Sequence, residues 1–97
     1  MFTDYLGGTP RAKLLDFLGD HPTSDYNVTE IAQKSGITRQ TVYGVLDDLE
    51  KVGMVRHTRD VGQSRMFAIS MDHPIIQSVL QADMLASRDG KKAVLVH

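Results

Sequence analysis

Arg39, Gln40, Thr41 and Tyr43 stand almost side by side in this chain of 97 residues. A guanidinium can pair with O6 and N7 of guanine through two hydrogen bonds, and a glutamine amide can do the same with N6 and N7 of adenine. The hydroxyls of Thr41 and Tyr43 can meet phosphate oxygens, and Gly44 would let a helix come close to a nucleic-acid backbone. Arg56, Arg59, Gln63 and Arg65 form a second group around a glycine. Guanidinium is weakly hydrated and grips phosphate as a planar fork, so these arginines suit phosphate or minor-groove contacts. Arg11 and Lys34 are further cations that could touch phosphate. Asp47 would face a duplex unfavourably unless it lies beyond the groove edge or accepts from cytosine.

Spacing supplies the elements that position these groups. Val28 to Val52 predicts a short helix, a tight turn at Gly36 and a longer helix from Thr38. Ile31 and Ala32 belong to the inner face of the first helix, and Ile37 seals the turn. Val42, Val45, Leu46, Leu49 and Val52 recur at steps of three, one, three and three, which keeps them on one face of a helix. The opposite, polar face then carries Thr38, Arg39, Gln40, Tyr43, Gly44 and Asp47. Ala32 is small where two crossing helices come closest, and Gly36 suits a turn that needs positive φ. Asn27 with Glu30 makes a capping-box pair before the first helix, and Thr38 is the N-cap of the second.

This stretch resembles the helix-turn-helix of bacterial and archaeal transcription regulators. Ala32, Gly36, Ile37, Val42 and Val45 match that pattern, while Ser35 departs from it where an apolar residue usually precedes the turn glycine. Gly53 ends the second helix. Met54 to Arg59 and Ser64 to Ile69 predict two strands around Asp60-Val61-Gly62-Gln63, with Gly62 as the hairpin signal. Val55, His57 and Arg59 alternate on one face, and Phe67 and Ile69 fall on the inner face of the returning strand. A helix-turn-helix followed at once by a hairpin with a basic tip resembles a winged helix. Leu-Glu-Lys-Val-Gly-Met-Val, residues 49–55, is similar to the helix-to-wing junction of the MarR- and ArsR-like families. The resemblance covers residues 9–70. It implies an α+β, mainly α fold, in which a three-helix core carries a β-hairpin wing. It also implies that Thr38, Arg39, Gln40, Thr41, Tyr43 and Gly44 enter a major groove, with Arg56, Arg59, Gln63 and Arg65 on flanking backbone.

The remaining segments flank that unit. Residues 1–8 form an arm carrying Phe2, Tyr5 and Leu6, which packs either on its own core or on a second subunit. Thr9 as N-cap and Pro10 at the first helical position open a helix whose buried face is Leu14, Leu15, Phe17 and Leu18. Gly19 is placed to stop it, with Pro22 preventing continuation. Tyr26 is placed to begin a very short strand. A last helix is expected from Asp72, as cap, to Gly90, within a segment spanning 71–90. Its Ile75, Ile76, Val79, Leu80, Met84 and Leu85 span a wider arc than one small domain covers, which predicts a homodimer interface. Residues 91–97 are a tail without an assignment.

Composition limits the other readings. An apolar fraction of 41% and a charged fraction of 24% describe an ordinary soluble domain with one core. No apolar run approaches membrane length. The first residues carry an acid and no base, unlike a secretory signal, so a cytoplasmic protein is expected. Cysteine is absent, which removes disulfides, thiolate metal sites and thiol catalysis. His21, His57, His73 and His97 are scattered without ligand spacing, Asp72-His73 being the one pair of note, so neither metal nor cofactor is expected. There is no phosphate-binding Gly-rich loop, nucleophile elbow or metalloprotease motif. Asp47, Asp48 and Glu50 splay around one helix, and no enzyme is expected. Net charge is −1, yet Lys51 to Arg65 holds four Lys or Arg against one Asp. The expected partners are double-stranded DNA and a second copy of the chain, in a sequence-specific transcriptional regulator, most simply a repressor. The alternative is a winged-helix protein-interaction or chromatin- or replication-associated module. The sequence names no small-molecule effector.

Overall fold

The computed structural model describes residues 2–88. Its elements run α1 (Phe2–Leu6), α2 (Pro10–Asp20), α3 (Val28–Ser35), α4 (Arg39–Lys51), β1 (Val55–Val61), β2 (Ser64–Ile69) and α5 (Pro74–Arg88). The helix starts follow from local chemistry. Thr9 Oγ1 accepts from the Ala12 N–H at 3.2 Å, ahead of Pro10. The Asn27 side chain accepts from the Glu30 N–H and Glu30 answers with its carboxylate on the Asn27 N–H, both at 2.9 Å. Thr38 accepts from the Thr41 N–H at 3.3 Å. Each cap satisfies donors that a helix leaves unpaired in its first turn.

Gly36 makes the turn between α3 and α4, at φ 73°. Its N–H and that of Ile37 both reach the Ala32 carbonyl, at 3.1 and 3.2 Å. Ser35, the departure from the helix-turn-helix pattern, is accommodated because its hydroxyl donates to the Ile31 carbonyl within the helix. Two expectations at helix ends need correction. α2 does not stop at Gly19 but continues to Asp20, where the His21 N–H closes it on the Leu18 carbonyl. Val52 does not join the core face of α4. The helix ends at Lys51, Val52 serves as its C-cap, and its side chain is 59% exposed.

β1 and β2 pair antiparallel from Val55↔Ile69 to Val61↔Ser64, so β1 runs past Arg59 and the turn shrinks to Gly62-Gln63. The register slips between His57 and Arg59. That bulge sets Thr58 and Arg59 opposite Met66, and directly opposed residues share a face of the sheet. Val55 and His57 therefore stay on the Phe67 and Ile69 face. Arg59 moves to the other, which corrects the simple alternation expected of all three. Tyr26 adds a one-residue bridge to Phe67, through N–H···O contacts of 2.9 and 2.8 Å.

Leu14, Leu15, Leu18, Ile31, Val42, Leu49, Val55 and Ile69 fill one core, and Phe2 and Ile76 join it fully buried. The arm thus packs on its own domain through Phe2. Asp16 holds it there by accepting from the backbone N–H groups of Phe2 and Thr3 and from the Thr3 hydroxyl. The last helix begins at Pro74, and its cap is His73 rather than Asp72. His73 Nδ1 accepts from the Ile75 N–H at 3.1 Å, while Nε2 lies 3.0 Å from the Val52 carbonyl. The imidazole so joins the end of α4 to the start of α5. The helix turns Ile76 and Val79 into the core, so these two are not available to a partner as expected, while Leu80 packs against that core and is only partly buried. Ile75, Met84 and Leu85 remain 52%, 67% and 44% exposed. The expected stop at Gly90 and the 91–97 tail lie outside the described residues.

Phe2→Ala should lower the unfolding free energy by about 3–5 kcal/mol, the cost of emptying a buried aromatic site. Leu6→Ala, on an exposed position of the same short helix, should change it by about 0.5 kcal/mol or less. Urea denaturation of both variants checks this, and equal small effects would contradict a buried Phe2.

Candidate nucleic-acid interface

Because Val42, Leu46 and Leu49 are buried, Arg39, Gln40, Thr41, Tyr43 and Gly44 project outward from α4. Arg39 Nη2 lies 3.4 Å from the Tyr43 hydroxyl, one helical turn on, and no carboxylate neutralises it among the described residues. Thr38 is occupied by its cap and also donates to Thr41 Oγ1 at 3.0 Å, which leaves the Thr41 hydroxyl hydrogen free to point outward. A Cβ built on Gly44 would meet nothing within 4 Å, so packing does not require glycine there.

A cleft of about 330 Å³ separates this helix face from the wing. Leu46 and Phe67 line it, with Arg39, Tyr43, Asp47 and Glu50 on one side and Gln63, Ser64 and Arg65 on the other. Thr29, from the first turn of α3, lines it as well. Arg65 stands 5.1 Å over the Phe67 ring and reaches Glu50 at 3.5 Å. Asp47 is met by Lys51 at 3.0 Å, an i,i+4 pair that raises the Lys51 pKa by its hydrogen bond and charge. Exposed pairs of this kind are worth little and open readily. Sequence reading did not select Thr29, Ser64 or Glu50. Nothing local marks Thr29 or Ser64, which meet the outward face of α4 only through the fold, whereas Glu50 follows Tyr43 by seven residues and shares its side of the helix.

The wing's cations do not form one group. Gln63 and Arg65 face α4 across the cleft, whereas the bulge places Arg59 on the reverse face of the hairpin with Arg56. There Arg59 Nε and Nη2 bind Asp25 at 3.0 and 3.2 Å, and the Thr58 hydroxyl donates to the same carboxylate. These bonds, the one from Arg59 foremost, hold the Asp25 pKa down at about 2 against burial, and raise that of Arg59. Arg11 pairs with Asp48 at 3.5 Å, tying α2 to α4, and Lys34 lies exposed in the last turn of α3. Neither lines the cleft.

A family model described as MarR family matches residues 8–66, more than half of the chain. The chain belongs to the MarR family. Its fold is of the winged-helix type, mainly helical around a two-stranded hairpin. Among solved structures it is similar to the AntR antimony-specific transcriptional repressor, with 22% identity and a TM-score of 0.60 over 80% of this chain and 66% of that one. NMB1585, a MarR family regulator from Neisseria meningitidis, aligns at 19% identity and a TM-score of 0.49 over 87% of this chain and 67% of that one. At these identities the first likeness shows the shared fold alone. No curated protein matches the chain. No helix of the described residues is long and apolar enough to cross a membrane, and no group of three or more His, Asp or Glu among them could hold a metal ion.

Acid should test the Asp25 pair. The carboxyl ionises near 3.8 when unperturbed and near 2 in the folded chain. Folding therefore favours its charged form, so the stabilisation is complete above the unfolded value and is lost as pH falls through the folded one. Asp25→Asn removes it. The wild-type advantage in urea midpoint should be constant near neutrality and shrink between about pH 4 and pH 2. An advantage independent of pH would show that ionisation of Asp25 contributes nothing to it.

Proposed function

We propose that this MarR-family chain is a sequence-specific regulator that binds double-stranded DNA as a homodimer, with α4 in the major groove and the wing tip on flanking backbone. One observation carries the reading. The side of α4 that bears Arg39, Gln40, Thr41, Tyr43 and Gly44 faces outward, Arg39 meets only the Tyr43 hydroxyl and no acid among the described residues, and Gln63 and Arg65 stand beside it across a single cleft. Arg39 and Gln40 are the base readers, and Tyr43, Thr41 and Arg65 the phosphate contacts. Occupying an operator excludes other proteins from it, so repression is the simplest output. AntR, a protein of the same fold, is named as a repressor.

Dimerisation is supported by what α5 leaves uncovered. Ile75, Met84 and Leu85 are exposed on it, and large aliphatic side chains gathered on one helix suit a partner subunit. Two-fold pairing doubles the contacts and sets two half-sites at a fixed helical spacing. The protein-interaction reading retains one support: net charge is −1 and Arg11, Arg59 and Arg65 each sit beside an internal acid.

Arg39→Ala or Gln40→Ala should cost about 1–3 kcal/mol on a duplex that the wild type prefers, and flatten discrimination at one or two base positions. Arg65→Ala should weaken all duplexes alike and lower the salt slope by about one. Unchanged discrimination in both α4 variants would contradict the reading. Met84→Asp with Leu85→Asp should yield a folded monomer, seen by mass in solution and helix content. A wild type already monomeric at micromolar concentration would contradict dimerisation.

A further inference from the structure

A two-stranded hairpin is marginal by itself, so something must fix the wing's angle against the helices. On the reverse face the Asp25 carboxylate ties the segment before α3 to β1. Asp25 precedes Tyr26, whose backbone bridges to β2 at Phe67, and lies two residues before Asn27, the cap of α3. Its oxygens take the side-on fork of Arg59 and the hydroxyl of Thr58, the two residues of the bulge, across 33 and 34 positions of sequence. The Asp25 side chain is 15% exposed beneath an Arg59 that is 64% exposed. A bidentate pair of this geometry fixes direction as well as distance. It also consumes the Nε edge of the guanidinium, which a phosphate fork would otherwise use, on a face turned away from the α4 cleft.

We propose that Asp25 and Arg59 form a latch that sets the wing against the helix-turn-helix, making Arg59 a positioning residue for DNA binding and not a phosphate contact. The proposal rests on the DNA-binding reading above. The bulge is then functional, since without it Arg59 would alternate onto the α4 face. Arg65 remains the contact on the cleft side, so the two arginines divide the labour of holding the wing and of touching the duplex. Arg56, exposed beside Arg59 and opposite Ala68, stands outside the latch.

Binding of a preferred duplex by fluorescence anisotropy over a salt series tests the latch in four proteins: wild type, Arg59→Ala, Asp25→Asn, and the charge swap Asp25→Arg with Arg59→Asp. Both single variants should weaken binding by a similar factor, about three- to tenfold, the scale of coupling within one charged pair. Their salt slopes should equal that of wild type, and the swap should recover most of the loss. Tighter binding by Asp25→Asn, or a slope lowered by about one in Arg59→Ala alone, would make Arg59 a phosphate contact and overturn the latch. Amide exchange of the DNA-free proteins gives a second readout. Tyr26 and Phe67 should exchange faster in both single variants and recover in the swap, whereas exchange unchanged from wild type overturns the latch. A wild type that binds no duplex would remove the DNA reading, while exchange would still decide the latch.

Discussion

The rotation of α4 about its own axis is the constraint on which the rest of the structure depends. Val42, Leu46 and Leu49 are buried together against α2 and α3, and each such side chain stabilises by about 1.5–3 kcal/mol when removed from water. Turning the helix by a third of a revolution would forfeit that burial. The same three side chains therefore dictate that Arg39, Gln40 and Tyr43 point away from the protein. Gly36 and the Thr38 cap fix where the helix starts, and the His73 imidazole ties where it ends to the start of α5.

Charge is arranged by the same economy. The chain is nearly neutral, and the basic segment from Lys51 to Arg65 is matched by acids that lie elsewhere in sequence. Asp47, Glu50 and Asp25 stand beside Lys51, Arg65 and Arg59. The exposed pairs cost little to open, so a phosphate can take the carboxylate's place at Arg65. Arg39 has no such acid among the described residues, which leaves its guanidinium unscreened on the outward face of α4.

What the sequence revealed divides by range. The three N-caps, the Gly36 turn, the buried face of α4 and the hairpin were legible because each rests on contacts three or four residues apart or on one backbone conformation. The outward placement of Arg39, Gln40, Thr41, Tyr43 and Gly44 was legible for the same reason, as the complement of a buried stripe. Thr58, by contrast, carries no local mark of a bulge, and moving one residue there sent Arg59 to the other face. Asp25 read only as one acid of several, since its partners lie 33 and 34 positions away. Phe2 was left open and Ile76 and Val79 were assigned to a dimer interface, because an apolar residue does not announce whether its own core or a second copy covers it.

The most direct test of the central claim is selection of duplexes from a random library by the wild-type chain. The account predicts enrichment of one motif, built of two half-sites related by two-fold symmetry and spaced by about one helical turn, 10–10.5 base pairs, or a multiple of it. A library that stays as diverse after repeated rounds as at the start would contradict the account.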